Sequence, residues 1–423
     1  MKTRILAPWI REHVSLYFII ILFIWISFFP APIQQSYCIY TYIFLGAMFF
    51  IAFEKKRVSI FKSDYFPLWI FLITIGMNVF SAREKDVAFQ TYLDLAIPLF
   101  CIYYTLSEGV TAKQFDTLSK VICIVSIPVA FWGLLDFLLH TNWLYEYYIP
   151  NPYYQRITSG AAMRAFSTQF WSPPLGSYLI ASFPFNLLLF QQNRPFFKIF
   201  GFIGMILCST VIIMTLSRGV LLGFIAMVLF ILYVNKKRHL LVIFLIIFCL
   251  FSLVCAYLYN PLNRLGFKQL LFLGRYASLS DYRFQRIFMA FQMVKDHLLT
   301  GVGFQHFRFL FNKYYTGERI FAYELKIADN MYLTLLAETG ILGFSGFLVF
   351  IFSVMRKTWS KIATLSNQSL NKKQLTLILC AIIGILVNMA AYELFYWPNQ
   401  YIFFCILLGC INSLLKNKNA QPV

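Results

Sequence analysis

The fold is decided by a stretch near the middle of the chain, residues 195–235, that reads PFFKIFGFIGMILCSTVIIMTLSRGVLLGFIAMVLFILYVN. It contains two apolar runs, 197–215 and 219–234, with Ser217-Arg218-Gly219 at the break between them. A helix needs about 20 apolar residues to cross the bilayer core, within a range of roughly 17–25. The stretch therefore predicts two consecutive transmembrane helices joined by almost no loop.

The composition of the whole chain extends this prediction. Of 423 residues, 60% are apolar and 13% are charged, whereas soluble proteins average about 45–50% apolar and about 25% charged residues. A soluble globule of this length would need a charged surface that these residues cannot supply. The composition argues against secreted, cytosolic and disordered classes and predicts a polytopic membrane protein.

Apolar runs of spanning length occur along the whole sequence, separated by charged or Pro/Gly-containing breaks. Their approximate cores are 14–29, 38–53, 66–80, 88–105, 119–140, 174–190, 197–215, 219–234, 238–258, 331–354, 374–393 and 397–415. The predicted fold is thus an all-α polytopic membrane protein of about twelve transmembrane helices with a large helical loop on the outer side. The expected division is helices 1–5 in 1–140, an outer loop in 141–173, helices 6–9 in 174–258, the large outer loop in 259–330, and helices 10–12 with a cytoplasmic tail in 331–423.

The distribution of charge gives the expected orientation. More than half of the 36 Lys and Arg residues fall in segments that strict alternation places on the side of the N-terminus, whereas the short loops on the other side hold only Arg83, Lys85 and Arg218. Cytoplasmic loops carry such an excess of Lys and Arg. Both termini are therefore expected in the cytoplasm, and the net charge of +19 does not require a nucleic-acid partner.

The long outer loops need another explanation for their basic residues, because long translocated loops are exempt from this charge bias. The loop 259–330 holds ten Lys or Arg and five Asp or Glu. An anionic ligand at the outer face would account for the excess.

The nine cysteines all fall in apolar stretches, and the chain has no CxxC motif. They are expected to be packing groups rather than disulfides or zinc ligands, and no metal or other cofactor is predicted. Neither a repeat of one half of the chain in the other nor a matched pair of Gly/Pro-broken helices is visible, which argues against a secondary transporter.

Three segments carry residues suited to binding or chemistry on the outer side. In the first, Arg218 is held between two spans, where a charge is costly unless something pairs with it. Arginine binds phosphate in a planar, two-pronged geometry, so a lipid diphosphate would be a natural partner. An interfacial arginine that reaches to lipid headgroups is the equal alternative.

The second segment, 278–295, is predicted to be an amphipathic helix. Its apolar face comprises Ile287, Ala290, Phe291 and Val294. Arg283 and Arg286 are three residues apart and so share a face. This pair would clamp one diphosphate from a surface helix, or it would be the solvated face of an interfacial helix.

The third segment begins with Gly301-Val-Gly303, which lacks the preceding strand and the third glycine of a dinucleotide fingerprint and predicts a turn. Asp329 and Asn330 stand where the loop meets the next helix, as a helix cap or as a carboxylate able to take a proton from a substrate hydroxyl. Glu338, about two turns into the tenth span, and Glu393, at the end of the eleventh, are intramembrane acids. Such acids are either functional or buried partners of Arg or backbone groups.

The order of these motifs resembles the O-antigen ligase and O-antigen polymerase superfamily of bacterial inner-membrane proteins. The matching motifs are Arg164-Ala-Phe-Ser-Thr, Ser172-Pro-Pro-Leu-Gly176, Ser217-Arg218-Gly219, the segment 283–286, Asp296-His-Leu-Leu-Thr-Gly-Val-Gly303, Asp329-Asn330-x-Tyr332-Leu333 and Glu338-Thr-Gly340-Ile-Leu-Gly343. The resemblance implies a membrane glycosyltransferase, similar in type to GT-C enzymes, whose donor is an undecaprenyl-diphosphate-linked oligosaccharide. Ligases of this kind move the glycan to lipid A core, and polymerases move it to the non-reducing end of another lipid-linked repeat unit.

One departure from the resemblance favours the polymerase branch. Ligase-type members resemble a pattern with His at the position held here by Asp329, and the nearest histidines, His297 and His306, lie elsewhere. The expected function is therefore an O-antigen or capsular repeat-unit polymerase, with a chain-length-regulating co-polymerase as an implied partner beside the membrane lipids. The alternatives are a ligase, a protein O-oligosaccharyltransferase and, from another class, a lipid-linked oligosaccharide flippase or transporter.

Together, chemistry and resemblance give each residue an expected role. Asp329 is the first candidate for deprotonating the acceptor hydroxyl, and Glu338 or Glu393 would replace it if geometry excluded it. Arg218 would offset the negative charge that grows on the donor diphosphate. The residues expected to bind diphosphate or glycan are Arg164, Arg218, Arg283, Arg286, Asn330, Tyr332 and Glu393.

Overall fold

The computed structural model describes residues 8–28, 63–139, 164–169, 171–236, 282–315, 327–366 and 369–416, together with Gly46. Over these ranges the regular secondary structure is entirely helical. The helices are α1 (Pro8–Phe28), α2 (Phe66–Ser81), α3 (Lys85–Gly109), α4 (Ala112–Leu139), α5 (Ser172–Phe190), α6 (Pro195–Met214), α7 (Arg218–Val234), α8 (Tyr282–Asp296), α9 (Phe307–Tyr314), α10 (Met331–Thr364), α11 (Leu370–Asn388) and α12 (Pro398–Lys416).

Ten of the twelve predicted spans coincide with a long helix, and α8 and α9 lie within the predicted outer loop. The predicted cores 38–53 and 238–258 lie outside the described residues, so the total of about twelve spans stays a prediction. Among the described residues, eight helical segments are long and apolar enough to cross a membrane, and Leu16–Phe28 and Arg218–Val234 are shorter apolar helices. The structure confirms a helical, polytopic membrane protein.

The ends of the long helices meet at two opposite faces of the bundle. At one face, Lys357 Nζ lies 3.4 Å from Asp64 Oδ1, and Gln192 Nε2 donates a hydrogen bond to Asp116 Oδ1 over 3.2 Å. We call this the basic face, because the following residues also stand at it: Arg194, Lys198, Arg356, Lys361 and Lys416.

The opposite face, which we call the site face, joins the other ends of the same helices. The Ala165 N–H donates to Met214 O over 3.1 Å, at the end of α6. The Ser167 N–H donates to Asp136 Oδ2 over 2.6 Å, near the end of α4. The pairing of helix ends is therefore the one that strict alternation of spans predicts.

Large apolar side chains cover the outside of the bundle. Phe80, Phe352 and Phe196 are 81%, 67% and 62% exposed, whereas Asn186 is fully buried. This is the arrangement expected where hydrocarbon rather than water surrounds the helices, because the aromatic side chains then lose nothing by facing outward. The described cysteines are free and buried, as expected of packing groups: Cys101, Cys123, Cys208, Cys380, Cys405 and Cys410.

Helix α10 is broken at Gly340, where the backbone has φ +62°. The chain that precedes α9 enters the break. The Gly303 N–H donates to Glu338 O over 2.9 Å, and the Ile341 N–H donates to Leu298 O over 2.8 Å. The break thus leaves its peptide groups satisfied within the protein, which hydrocarbon surroundings require.

The predicted turn at Gly301-Val-Gly303 is confirmed. Gly301 and Gly303 both have positive φ, +67° and +110°. A Cβ atom on Gly301 would lie 2.3 Å from Glu338 O, so only glycine fits between this turn and α10.

Helix α10 also extends beyond the predicted core, 331–354, to Thr364. Its last turns carry Arg356 and Lys361, which the sequence analysis placed beyond the end of the span. The apolar run ends where the bilayer ends, but Arg and Lys are good helix formers and continue the helix into water.

The predicted amphipathic helix is confirmed as α8, but its buried face is not the expected one. Phe291 is 58% exposed, whereas Met289 and Met293 are 2% and 0% exposed. Together with Arg286 and Ala290 they form the buried stripe, with the i, i+3, i+4, i+7 spacing of one helix face. The rotation places Arg286 inside the protein.

Replacing Gly340 with alanine is expected to destabilise the fold by about 1–3 kcal/mol, the typical cost of strained backbone at such a position. The added Cβ would also lie 2.3 Å from Leu299 O. Gly76→Ala is the control, because its Cβ would approach no atom closer than 3.3 Å. Thermal unfolding of the purified proteins in detergent measures the difference, and equal melting temperatures for the two variants would contradict the prediction.

Candidate active site

Four of the predicted site residues meet at the site face, where α8, the start of α10 and the chain between α11 and α12 come together. We call this cluster the polar corner. Its members are Arg286, Asp329, Asn330, Thr334 and Glu393.

The centre of the polar corner is an ion pair between α8 and the residue that precedes Asn330. Arg286 Nη1 lies 3.0 Å from Asp329 Oδ2 and donates to Ile327 O over 3.2 Å. The Arg286 side chain is 11% exposed and that of Asp329 is 29% exposed. A guanidinium this deeply buried needs a paired carboxylate, so the prediction of a solvated face is wrong for Arg286.

The cap of α10 is Asn330 and not Asp329. Asn330 Oδ1 accepts a hydrogen bond from the Leu333 N–H over 3.1 Å. A cap of this kind contributes about 1 kcal/mol. Asp329 has φ +55°, a conformation that Asp tolerates better than most residues, and its carboxylate turns to Arg286.

Glu393 holds the start of α10 from the opposite side. Its Oε1 accepts hydrogen bonds from the Asn330 N–H over 3.0 Å and from Thr334 Oγ1 over 3.2 Å. The sequence predicts Glu393 at the end of the eleventh span, but α11 already ends at Asn388 and a 3-10 turn, Met389–Ala391, follows it. The helix ends early for a physical reason. The buried Glu393 carboxylate accepts a hydrogen bond from the backbone at the start of α10, and non-helical chain after α11 lets it reach that position.

The environment raises the pKa of the Glu393 carboxyl to about 8. Burial is the main cause, and the charge of neighbouring Asp329 adds to it. The two carboxyl groups thus differ in their surroundings: Glu393 is buried, which favours its neutral form, whereas Asp329 contacts the Arg286 cation.

Glu338 lies two turns further along α10 and is fully buried. Its Oε1 accepts hydrogen bonds from the Phe307 N–H over 3.0 Å and from the Tyr396 hydroxyl. It therefore joins the first turn of α9 to the 3-10 turn Leu394–Tyr396, directly after Glu393. This position suits a buried connection between two loops better than a base that meets substrate.

Arg218 is the first residue of α7, and its helix starts beside the polar corner. A Cβ atom on Gly219 would lie 2.6 Å from the Cβ of Ala391, two residues before Glu393. The start of α7, where the helix dipole is positive, thus lies at the site face and favours an anion there. The near absence of a loop is confirmed, because α6 ends at Met214.

The remaining predicted residues divide into three cases. Arg164 is half-buried beside Ala165, whose hydrogen bond to Met214 places it next to the turn that carries Arg218. The Tyr332 hydroxyl donates to Leu386 O over 2.6 Å and so binds α10 to α11. Arg283 belongs to α8, but its side chain lies outside the described residues.

Sequence analysis missed three side chains around the polar corner. Thr334 and Tyr396 are the hydroxyl partners of Glu393 and Glu338. Asn388 is fully buried against Gly219, and neither polar atom of its amide has a hydrogen-bond partner in the part of the chain that the structure describes. An Asn at the end of an apolar run gives no signal of this in the sequence.

Comparison with known families bears on this geometry. The family described as O-antigen ligase matches residues 203–348, about a third of the chain. This part of the chain is similar to that family, which supports the resemblance to the O-antigen ligase and polymerase superfamily. No curated protein matches the chain.

The matched region contains Arg218, Arg286 and Asp329, whereas Glu393 lies beyond it and is brought to the corner by folding. The match supports an activity of the O-antigen ligase or polymerase type in general, a family whose substrates are lipid-linked glycans.

The raised pKa of Glu393 predicts a pH-dependent stability. The unfolded chain releases this proton near pH 4.5 and the folded protein near pH 8. Raising the pH between these values therefore favours the unfolded state, by up to about 1.4 kcal/mol per pH unit. Melting temperatures between pH 5 and 8 are expected to fall less steeply for Glu393→Gln than for the natural protein, and parallel curves would contradict this.

Proposed function

We propose that the protein is a membrane glycosyltransferase that polymerises O-antigen or capsular repeat units. It would transfer an undecaprenyl-diphosphate-linked glycan to the non-reducing end of another lipid-linked repeat unit. The observation that carries the proposal is the polar corner: an accessible carboxylate, Asp329, is held by Arg286 beside the start of α7, where Arg218 stands.

The donor diphosphate would bind at the start of α7. Arg218 is half-buried there, at the positive end of its helix. Arginine keeps its charge at every working pH and matches phosphate oxygens with two donors. Arg164, beside the same turn, and Arg283 would add positive charge, whereas Arg286 already contacts Asp329 and mainly orients that carboxylate.

The chemistry needs one bond to form and one to break. The acceptor hydroxyl oxygen attacks C1 of the donor glycan, the C1–O bond to the diphosphate breaks, and undecaprenyl diphosphate leaves. Asp329 takes the hydroxyl proton, and Arg218 offsets the charge that develops on the diphosphate. Asp329 suits this role better than Glu393, which is 1% exposed and bonds to backbone, or Glu338, which is fully buried.

A polymerase is favoured over a ligase because, among the described residues, no imidazole near Asp329 replaces that of the ligase pattern. His306 is fully buried, and its two ring nitrogens lie 2.9 Å from Phe304 O and 3.1 Å from Glu84 O. It is thus engaged by backbone carbonyls. His297, after the end of α8, is exposed.

The proposal includes a location and partners. The site face would be periplasmic and the basic face cytoplasmic, in the inner membrane, because the excess of Lys and Arg marks the cytoplasmic side. A lipid-linked donor and acceptor would reach the polar corner through the membrane, and a co-polymerase would set chain length.

Asp329→Asn is expected to lower turnover by about 10²–10⁴-fold, because the amide cannot accept the hydroxyl proton. The assay is product length against time with purified protein in nanodiscs and undecaprenyl-diphosphate-linked repeat units. Asp86→Asn, at an exposed carboxylate on the same face, is the matched control and should keep full activity. Undiminished turnover in Asp329→Asn would show that Asp329 is not the base.

A deletion strain complemented with Arg218→Ala tests the donor role and separates polymerase from ligase. The expected result is loss of the polysaccharide ladder, with one repeat unit still attached to lipid A core. Arg83→Ala, at an exposed arginine on the same face, should restore the ladder. Loss of all attached glycan with long chains left on undecaprenyl diphosphate would instead indicate a ligase.

A further inference from the structure

A cavity of about 960 Å³ opens at the basic face, on the opposite side of the bundle from the polar corner. It lies between the second half of α10, the end of α12 and the turn that precedes α2. Its lining includes Arg356, Lys357 and Lys361 from α10 and Lys416 from α12. Roughly 24 Å of helix separates Arg356 from the break at Gly340, and no residue of the polar corner lines the cavity, so the cavity is separate from the candidate active site.

The cavity keeps positive charge after its internal ion pairs are formed. Lys357 lies 3.4 Å from Asp64, and Lys416 is paired with Glu108. Arg356 and Lys361 have no ion-pair partner within the described ranges. Two cations converge on one cavity without compensation, which suits an anion of one or two charges.

The wall of the cavity changes from apolar to charged along α10. Val349 and Phe352 stand seven and four residues before Arg356, on the same side of the helix. They are 46% and 67% exposed. An inorganic or other soluble anion would make no favourable contact with this apolar part of the wall. A phospholipid would place its acyl chains there and its phosphate beside Arg356 and Lys361.

Topology alone does not explain this arrangement. The positive-inside rule requires basic residues on the cytoplasmic side, but it sets no requirement on where they stand relative to each other. Arg194 and Lys198 satisfy it at the start of α6 without lining the cavity.

We propose that this cavity is a binding site for an anionic phospholipid of the leaflet at the basic face. The phosphate would contact Arg356 and Lys361, and an acyl chain would lie along Val349 and Phe352. A bound lipid would join α10 to α12 and stabilise the bundle, because a ligand that binds only the folded state raises its stability.

The test is the melting temperature of the purified full-length protein in a neutral detergent, titrated with dihexanoyl phosphatidylglycerol. We expect a saturable increase that dihexanoyl phosphatidylcholine does not produce. Arg356→Gln/Lys361→Gln should weaken the apparent affinity for phosphatidylglycerol by about tenfold or more. The matched control, Arg194→Gln/Lys198→Gln, removes the same two charges from the same face outside the cavity and should bind like the natural protein.

Two further measurements identify which part of the lipid the cavity binds. Phe352→Ala should weaken the affinity for the lipid, whereas glycerol 3-phosphate should not saturate the site in the concentration range in which the lipid does. Equal affinity of the natural protein and Arg356→Gln/Lys361→Gln would overturn the proposal. Equal responses to phosphatidylcholine and phosphatidylglycerol, or saturation by glycerol 3-phosphate alone, would also overturn it.

Discussion

The contact between the Arg286 guanidinium and the Asp329 carboxylate is the interaction on which the site face depends. Burying a cation without a partner costs several kcal/mol of folding free energy, so α8 packs where Arg286 can contact Asp329. That requirement sets the rotation of α8, which buries Met289 and Met293 and leaves Phe291 exposed. It also turns Asp329 away from helix capping, a role that Asn330 takes. One ion pair thus orients α8 and holds the Asp329 carboxylate beside it.

The second constraint is the demand that hydrocarbon surroundings place on the backbone. The break at Gly340 frees peptide groups that would be costly in a bilayer, and the chain before α9 enters to pair with them. Glu338 adds to this junction by accepting hydrogen bonds from the Phe307 N–H and the Tyr396 hydroxyl. The loop that carries Arg286 and the corner that carries Glu393 are consequently fixed to the same helix. Positioning of the proposed base and of its neighbours comes from this shared attachment.

Sequence patterns predicted the features that local chemistry controls. Apolar run length gave the long helices, and Gly301-Val-Gly303 gave its turn, because each depends on residues within one short segment. The contacts of the polar corner were not predictable in the same way. Arg286 and Asp329 are 43 residues apart, and Glu393 follows Asn330 by 63, so their pairing arises only when separate helices pack. The burial of Asn388 and the true end of α10 likewise depend on neighbours and on where the bilayer stops.

In the proposed mechanism, Arg286 acts on the reaction through Asp329. A double-mutant cycle on the rate of chain extension tests this role most directly, with Arg286→Gln, Asp329→Asn and the variant carrying both changes. We expect strong coupling: the double variant should be no slower than the slower of the two single variants, because each change removes the same oriented carboxylate. Rate losses that multiply in the double variant would show that the two residues act independently and would contradict the proposed role of Arg286.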